Sequence, residues 1–293
     1  MPFTPSHAIV ALPFIRTPLL PAAIAIGAMA PDLPLFVRFL PLSYQVTHTN
    51  VIASVVLALL LLVIWYALLR PAVRELSPTW LARRLPPGWD ATGRRAWESV
   101  RAPRSGARPE LGRRDLGHRT LGHRTWVFAA LVALSLTLGV ISHIVWDAFT
   151  HEGRWGLAVL PGLEEQWGPL LGYKWLQYGS GVLGLVVLAA FGAWWITRAG
   201  TGPFVRILPA WVRVGWWVSL PVILLVAWVG GLVVLGPIEG TFTAAHLSYR
   251  VLPPACAVWG ALTLVLCAVV VGRRYSAGRR SWGGPGTPSV RQA

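Results

Sequence analysis

Three residues with metal-binding side chains follow one another at intervals of four: His143, Asp147 and His151. If one α-helix carries them, each step of four residues rotates the side chain by only about 40°, so the three form a single stripe. Ligands one helical turn apart can reach the same ion, and imidazole with carboxylate suits zinc. We predict that His143 and Asp147 bind zinc or another divalent metal, and that His151 is a further ligand or an acid/base group.

Three more candidate ligands lie near the start of the chain: His7, Asp32 and His48. Asp32 is the only carboxylate in the first seventy residues and lies between two prolines at the end of an apolar run. An ionised carboxylate in such a place is costly unless it is paired, metal-bound or facing water. If residues 5–13 and 18–30 form a helical hairpin, its two ends bring His7 and Asp32 close together.

The elements that would position these groups are hydrophobic. The 293-residue chain is 55% hydrophobic, its mean hydropathy is +0.57, and its 13% of charged residues is about half the share of soluble domains. This composition argues against a water-soluble fold. We predict an all-α, polytopic transmembrane helix bundle, because five stretches free of Asp, Glu, Lys and Arg match the roughly 20 residues that cross a bilayer: 51–69, 126–145, 179–196, 214–235 and 252–271.

A sixth apolar region, residues 19–40, is interrupted by Pro31, Asp32 and Pro34. It predicts a Pro-interrupted N-terminal hydrophobic helix or hairpin with irregular backbone at the interruption. Irregular backbone at membrane depth persists only inside protein or beside a water-filled cavity.

The basic residues indicate an orientation. The formal charge of +15 would suggest nucleic acid in a soluble protein, but here the arginines fall between hydrophobic spans, as the positive-inside rule describes. Thirteen arginines and five acids lie between Arg70 and Arg124, which predicts that this loop is cytoplasmic. Every later connection agrees with the alternation that follows, and the C-terminus is then also cytoplasmic. We expect no nucleic-acid partner; the partner is the lipid bilayer.

This orientation brings the candidate ligands to one membrane surface. The span that carries His143 runs outward and ends near Asp147 and His151, whereas His48 precedes a span that runs inward. Five or six such groups exceed the three that a single catalytic zinc takes from protein, which leaves room for a second ion. Lys174 and Gln177, at the outer start of the next span, are candidates for contact with an anionic head group.

Composition divides the chain into four parts. These are an N-terminal helical region with the first span (1–69), an Arg-rich cytoplasmic loop (70–125), a transmembrane helix bundle (126–271) and a basic cytoplasmic tail (272–293). The loop and the tail combine charge with Gly and Pro, which predicts that both are poorly ordered.

Several short motifs carry a resemblance. They are Met1-Pro2-Phe3-Thr4-Pro5-Ser6-His7, Ala30-Pro31-Asp32-Leu33-Pro34, Thr47-His48-Thr49, Ser142-His143-Ile144-Val145-Trp146-Asp147-Ala148-Phe149-Thr150-His151 and Leu176-Gln177-Tyr178-Gly179-Ser180. In order and spacing the chain resembles, through about residue 196, a bacterial membrane family catalogued as domain of unknown function 4184. More distantly it is similar to the predicted membrane-bound metal-dependent hydrolases, which are thought to be related to helical zinc-dependent phospholipases C. The resemblance implies the plasma (inner) membrane of a bacterium. Those hydrolases usually have Pro-Asp-x-Asp, so one carboxylate is replaced here by Pro34.

Two functions remain open. The first is a metal-dependent hydrolase that cleaves an ester or phosphoester at the extracytoplasmic membrane surface, where the location suggests a lipid substrate. Its catalytic residues would be Asp147 and His151. Its metal ligands would be His7, Asp32, His48, His143 and Asp147. The second is a non-catalytic membrane protein, either a structural bundle or a small-solute or proton pathway. Transport needs polar residues at mid-bilayer, and the last three spans have almost none, which argues against a pathway.

Overall fold

Helices form almost all of the regular structure in the computed structural model, which describes residues 4–38, 41–101 and 119–280. The prediction of an all-α fold is confirmed. The α-helices are α1 (Pro21–Met29), α2 (Leu33–Phe36), α3 (Tyr44–Thr49), α4 (Val51–Ile64), α5 (Arg70–Leu76), α6 (Thr79–Ala82), α7 (Arg94–Arg101), α8 (Arg119–Thr150), α9 (Trp155–Val159), α10 (Gly172–Arg198), α11 (Ala210–Leu235) and α12 (Ala244–Arg280). The shorter elements are 3₁₀ helices at Thr4–Phe14, Ala30–Asp32, Pro87–Asp90 and Pro161–Glu164, a π-helical stretch at Trp65–Leu69, and the antiparallel strands β1 (Gln166–Trp167) and β2 (Leu170–Leu171).

Five helical stretches of the described chain are long and apolar enough to cross a membrane: Val51–Leu76, Thr125–Thr150, Gly172–Arg198, Ala210–Leu235 and Ala244–Ala277. Each contains one predicted span, so the prediction of five spans is confirmed. The helices are longer than the predicted spans. The predicted boundaries stop at charged residues, whereas a helix continues for as long as its backbone hydrogen bonds do.

The N-terminal region forms the predicted hairpin. The 3₁₀ helix Thr4–Phe14 and α1 are joined by a turn in which the Thr17 hydroxyl donates to the Phe14 carbonyl at 2.9 Å. Beyond α1 the chain makes the 3₁₀ turn Ala30–Asp32 before α2, which is the interruption expected from the prolines. The three residues of this turn are buried, so the irregular backbone lies inside the protein, as a membrane environment requires.

Two facing rows of residues join α1 to α8. Leu20, Ile24 and Ala28 on one side meet Ser135, Gly139 and His143 on the other, and both rows repeat every four residues. The Leu20 amide donates to Ser135 Oγ at 3.0 Å, and His143 Nδ1 lies 2.8 Å from the Ala28 carbonyl oxygen. The two helices therefore run parallel, and Asp32, four residues after Ala28 in the 3₁₀ turn that follows α1, places its Oδ1 3.6 Å from His143 Nε2.

Two glycines allow this close approach. A Cβ atom on Gly27 would lie 2.4 Å from the Leu136 carbonyl oxygen, and one on Gly139 would lie 2.2 Å from the Ile24 carbonyl oxygen. Both distances are too short for any side chain. Small residues are the usual means by which membrane helices pack backbone to backbone.

Two helix caps position His48 at the entrance to α4. The Ser43 hydroxyl accepts from the Val46 amide to start α3, and the Asn50 side chain accepts from the Ala53 amide to start α4. A Ser or Asn side chain at this position satisfies a backbone donor that the helix leaves unpaired. Because Asn50 is extended, α3 ends after six residues and His48 lies inside the bundle rather than on the surface of α4.

The Arg-rich segment is more ordered than its composition predicts. Residues 70–101 contain α5, α6, α7 and a 3₁₀ helix, so the prediction of poor order was wrong for this part; residues 102–118 lie outside the described residues. Glu75 is fully buried and accepts from the Ile207 and Leu208 amides at 3.1 and 3.0 Å. Buried Arg74 donates to the Ala82 carbonyl at 3.0 Å. Because the buried charges of Glu75 and Arg74 are satisfied by backbone groups, the segment is ordered, although its composition is typical of a solvated loop.

The tail is also ordered at its start. The expected disordered segment begins at residue 272, but α12 continues to Arg280; residues 281–293 lie outside the described residues. Arg274 explains part of the continuation, because its guanidinium is 2.6 Å from the Asp90 carboxylate and so ties α12 to the segment before α7.

Candidate metal centre

A compact group of buried ligands lies at the end of the bundle where α8 ends and α4 begins. It consists of Asp32, His48, His143 and Asp147, whose ligand atoms all lie within 4.8 Å of one another. None of the four is more than 5% exposed. Such a group brings together the imidazole and carboxylate donors that the sequence placed in three separate segments.

The separations between donor atoms match those around a single ion. His48 Nε2 and His143 Nε2 are 3.2 Å apart, and Asp147 Oδ2 is 3.4 and 3.5 Å from them. Asp32 Oδ1 is 3.6 Å from His143 Nε2 and 3.8 Å from His48 Nε2. Ligand atoms on a tetrahedral zinc, with bonds of about 2.0–2.2 Å, lie about 3.3–3.6 Å apart. Five of the six separations therefore lie within about 0.2 Å of those around one zinc ion, and the sixth, between Asp32 and Asp147, is no more than 4.8 Å.

Backbone carbonyls orient both imidazoles. His48 Nδ1 lies 2.8 Å from the Tyr44 carbonyl oxygen, and His143 Nδ1 lies 2.8 Å from the Ala28 carbonyl oxygen. A carbonyl oxygen only accepts, so Nδ1 carries the proton in each ring, and in the neutral ring Nε2 presents its lone pair to the centre. Metal-binding histidines are commonly held in this way.

The two carboxylates of the group are not paired with Lys or Arg within the described part of the chain. Among the ion pairs of the described residues, Asp32 and Asp147 face histidines and no Lys or Arg. Asp32 Oδ2 accepts from the Thr4 hydroxyl at 2.7 Å, whereas Asp147 Oδ1 is buried and has no hydrogen-bond partner. Two buried carboxylates with an unpartnered oxygen are the chemistry that a divalent cation satisfies.

Two further histidines border this group. His7 lies outside the set of four, but its Nε2 is 3.8 Å from Asp147 Oδ1 and its ring centroid is 4.3 Å from that of His143. His151 follows the last residue of α8 and keeps its Nδ1 3.5 Å from Asp147 Oδ2. Burial lowers the pKa of His151, and the charge of Asp147 partly offsets this. The predicted stripe of His143, Asp147 and His151 is thus present, although the helix ends one residue before its last member.

A family model matches residues 1–272 of this chain. The chain belongs to the family described as Domain of unknown function (DUF4184). That match bears out the closer of the two resemblances. Neither the curated proteins nor the solved structures with which we compared the chain gave a match.

In this DUF4184 protein Gln177 and Lys174 lie behind His151. Gln177 is 2% exposed, and its side-chain amide lies 3.0 Å from His151 Nε2, to which it can donate. Lys174 Nζ is 3.5 Å from Gln177 Oε1 and 5.0 Å from the centre of the Tyr173 ring. Gln177 therefore orients His151. A substrate contact for either residue stays a prediction.

Sequence reasoning placed none of three supporting residues at this centre. Thr4 donates to Asp32, and the fully buried Thr47 donates to the Pro31 carbonyl at 2.7 Å. The Tyr44 hydroxyl lies 3.4 Å from Asp147 Oδ2, and burial raises the pKa of this phenol, so it remains a donor. The spacing of four between Tyr44 and His48, on one face of α3, was the available signal for Tyr44.

Proposed function

We propose that Asp32, His48, His143 and Asp147 hold a divalent metal, zinc first of all, and form the centre of a hydrolase that cleaves an ester or phosphoester. One observation carries the proposal: the Nε2 atoms of two buried imidazoles are 3.2 Å apart beside two carboxylates. Two neutral rings held by Nδ1 present lone pairs to each other and repel, unless one ring is protonated or a metal cation lies between them. A divalent ion removes this repulsion and balances both carboxylates.

A metal at such a centre supplies Lewis-acid polarisation of the scissile group and activation of a water. The protein's own residues supply position and proton transfer. His151 is the acid/base candidate, because its side chain is 23% exposed, whereas those of His7, His48 and His143 are 6%, 1% and 0% exposed. It alone among these rings can exchange a proton with the outside, while Gln177 holds its other nitrogen.

The proposed location follows from charge. The centre lies at the opposite end of α8 from the Arg-rich segment, and the positive-inside rule thus supports a location at the extracytoplasmic surface of the plasma membrane. His143 is seven residues before the end of α8, about 10 Å along the helix axis. A substrate that reaches this depth from the surface is an amphiphile, and a lipid ester or phosphoester is the class we propose.

A non-catalytic role is the second candidate, and one observation favours it. Four protein ligands complete a tetrahedral zinc, as in structural sites, whereas catalytic sites keep one position open. In this alternative the metal, or a metal-free cluster of protonated histidines and carboxylates, joins the N-terminal hairpin, α3 and α8 and does no chemistry.

Metal analysis combined with hydrolysis assays separates the candidates. The full-length protein is purified in detergent with zinc supplied, bound metal per chain is measured, and release of para-nitrophenol from carboxylate esters and phosphodiesters is followed before and after chelation and zinc return. We expect bound zinc and activity that chelation removes and zinc restores. Bound zinc without activity on either probe class favours the structural role, and absence of metal excludes both metal-dependent functions.

A further inference from the structure

A cavity adjoins the metal centre on one side. It has a volume of 370 Å³ and lies between the N-terminal 3₁₀ helix, α8 and α10. Its walls are mainly apolar, with Ile9, Val10 and Leu183 among them, and His7 is the one lining residue that also borders the centre. A volume of this size is within the usual range of small-molecule sites.

The 3₁₀ helix connects the centre to the cavity. With three residues per turn, Thr4, His7 and Val10 lie above one another on one face, about 6 Å apart. Thr4 bonds to Asp32, His7 lies beside Asp147, and Val10 lines the cavity. One helix face therefore changes from polar at the metal centre to apolar within two turns.

His7 has an unused polar atom at the junction. Its side chain is 6% exposed, and its Nε2 lies 3.8 Å from Asp147 Oδ1 and makes no hydrogen bond with the described residues. A buried nitrogen of this kind calls for a polar ligand atom, which an ester or phosphoester group supplies.

The far wall of the cavity faces the lipid. Leu183 and Trp146 are 61% and 41% exposed on two helices that are apolar and long enough to span a membrane. Trp146 donates its indole proton to Ser180 Oγ at 3.1 Å, so the polar atoms of these two lining residues are paired with each other. Such an opening admits an alkyl chain from the bilayer more readily than a hydrated solute.

We infer that this cavity holds the alkyl chain of a lipid substrate, with the scissile ester or phosphoester group at His7 and the metal centre. The inference rests on the proposed hydrolase function and adds the site at which the chain of its amphiphilic substrate binds, with entry sideways from the membrane.

A second cavity serves as the control. It has a volume of 350 Å³, is lined by residues such as Leu59, Phe128 and Val132 between α4 and α8, and includes none of the four ligands. Zinc-loaded protein is reconstituted in phosphatidylcholine vesicles with a phosphatidylcholine probe whose acyl chain carries a diazirine, and labelled residues are mapped by mass spectrometry. We expect labelling of Ile9 and Val10 to exceed labelling of Phe128 and Val132. Equal labelling of the two cavities means ordinary lipid contact and overturns the inference.

Two matched leucine variants test the fit. Leu183→Trp fills the proposed chain site, and Leu59→Trp fills the control cavity; both side chains are partly exposed, which limits damage to the fold. Leu183→Trp is expected to reduce labelling of Ile9 and Val10 about tenfold, a typical effect of a small change in an apolar site. Leu59→Trp leaves it unchanged. If Leu183→Trp has no effect, the inference fails.

An activity measurement distinguishes the inference about the cavity from the proposed hydrolase function. The ratio of hydrolysis rates for para-nitrophenyl laurate and para-nitrophenyl acetate is measured in both variants, along with bound zinc. A ratio that falls only in Leu183→Trp supports the chain site. A zinc-dependent activity whose ratio is the same in both variants leaves the hydrolase standing and overturns the chain site. If the protein binds zinc and cleaves neither probe, the hydrolase fails and the labelling alone decides what the cavity holds.

Discussion

His48 Nε2 lies 3.2 Å from His143 Nε2, although 95 positions separate the two residues in the chain. Each ring is held from behind by a backbone carbonyl, one from α3 and one from α1. The contact therefore depends on the local conformation of α3 and on the packing of α8 against α1. Variants of the ligands, of the residues that hold them and of the α1–α8 contact have different expected effects.

Removal of a ligand should release the metal and leave the fold. We expect His143→Ala and Asp147→Asn each to lower bound zinc to background, because each removes one of four donors. Most of the bundle's stability should persist, since helix packing is spread over many residues. Bound metal per chain and thermal melting of each purified variant are the measurements. His246→Ala is the control, because His246 is exposed and, within the described part of the chain, its hydrogen bonds are to Thr243. Equal metal in wild type and both ligand variants would exclude this centre.

Loss of the Thr4 hydroxyl should weaken metal binding without abolishing it. Thr4→Val keeps the shape but removes the hydrogen bond to Asp32 Oδ2, so the carboxylate is less well oriented. Loss of such a supporting contact typically costs about 10–100-fold in metal affinity. Competition with a zinc chelator of known affinity measures the change. Thr49→Val is the matched control, because the exposed Thr49 hydroxyl bonds only to the Gln45 carbonyl of its own helix. The same affinity in both variants would mean that the Thr4 hydrogen bond to Asp32 does not support metal binding.

A side chain at Gly139 should separate α1 from α8. Gly139→Ala puts a Cβ where the Ile24 carbonyl oxygen lies, and overpacking of this kind typically costs about 1–3 kcal/mol. We expect a lower melting temperature together with weaker zinc binding, because Asp32 and the Ala28 carbonyl move away from His143. Gly192→Ala in α10 is the control, since a Cβ there meets nothing within 4 Å. Retention of full metal affinity in a destabilised Gly139→Ala protein would show that the α1–α8 contact does not position the ligands.

Labelling of intact cells tests the orientation. In a variant with Cys256 and Cys267 replaced by Ser, single cysteines are introduced at Gly88 and Gly162, where a Cβ atom meets nothing within 4 Å. On the positive-inside argument, an impermeant thiol reagent should modify position 162 and not position 88. Permeabilised cells, in which both positions should react, are the control. The opposite pattern would put the metal centre on the cytoplasmic side.

The sequence by itself determined the features that depend on neighbouring residues. The five spans follow from uninterrupted apolar stretches, and the stripe of His143 and Asp147 follows from a spacing of four within one helix. The hairpin that brings the N-terminus to Asp32 was also predictable, since prolines mark where its helices begin and end. Each of these is a local consequence of residue type, so no knowledge of distant contacts was needed.

Only the tertiary structure decided how the candidate ligands meet. The carbonyl that orients His143 belongs to Ala28, and every residue has a carbonyl, so residue type carries no signal for such a distant acceptor. The burial of Asp32 beside His143 depends on the approach of α1 to α8 at Gly139, which a sequence pattern does not encode. The ordered Arg-rich segment has the same cause, because Glu75 is satisfied by amides about 130 residues away. Contacts between distant segments depend on how whole helices pack, and packing is a property of the assembled fold.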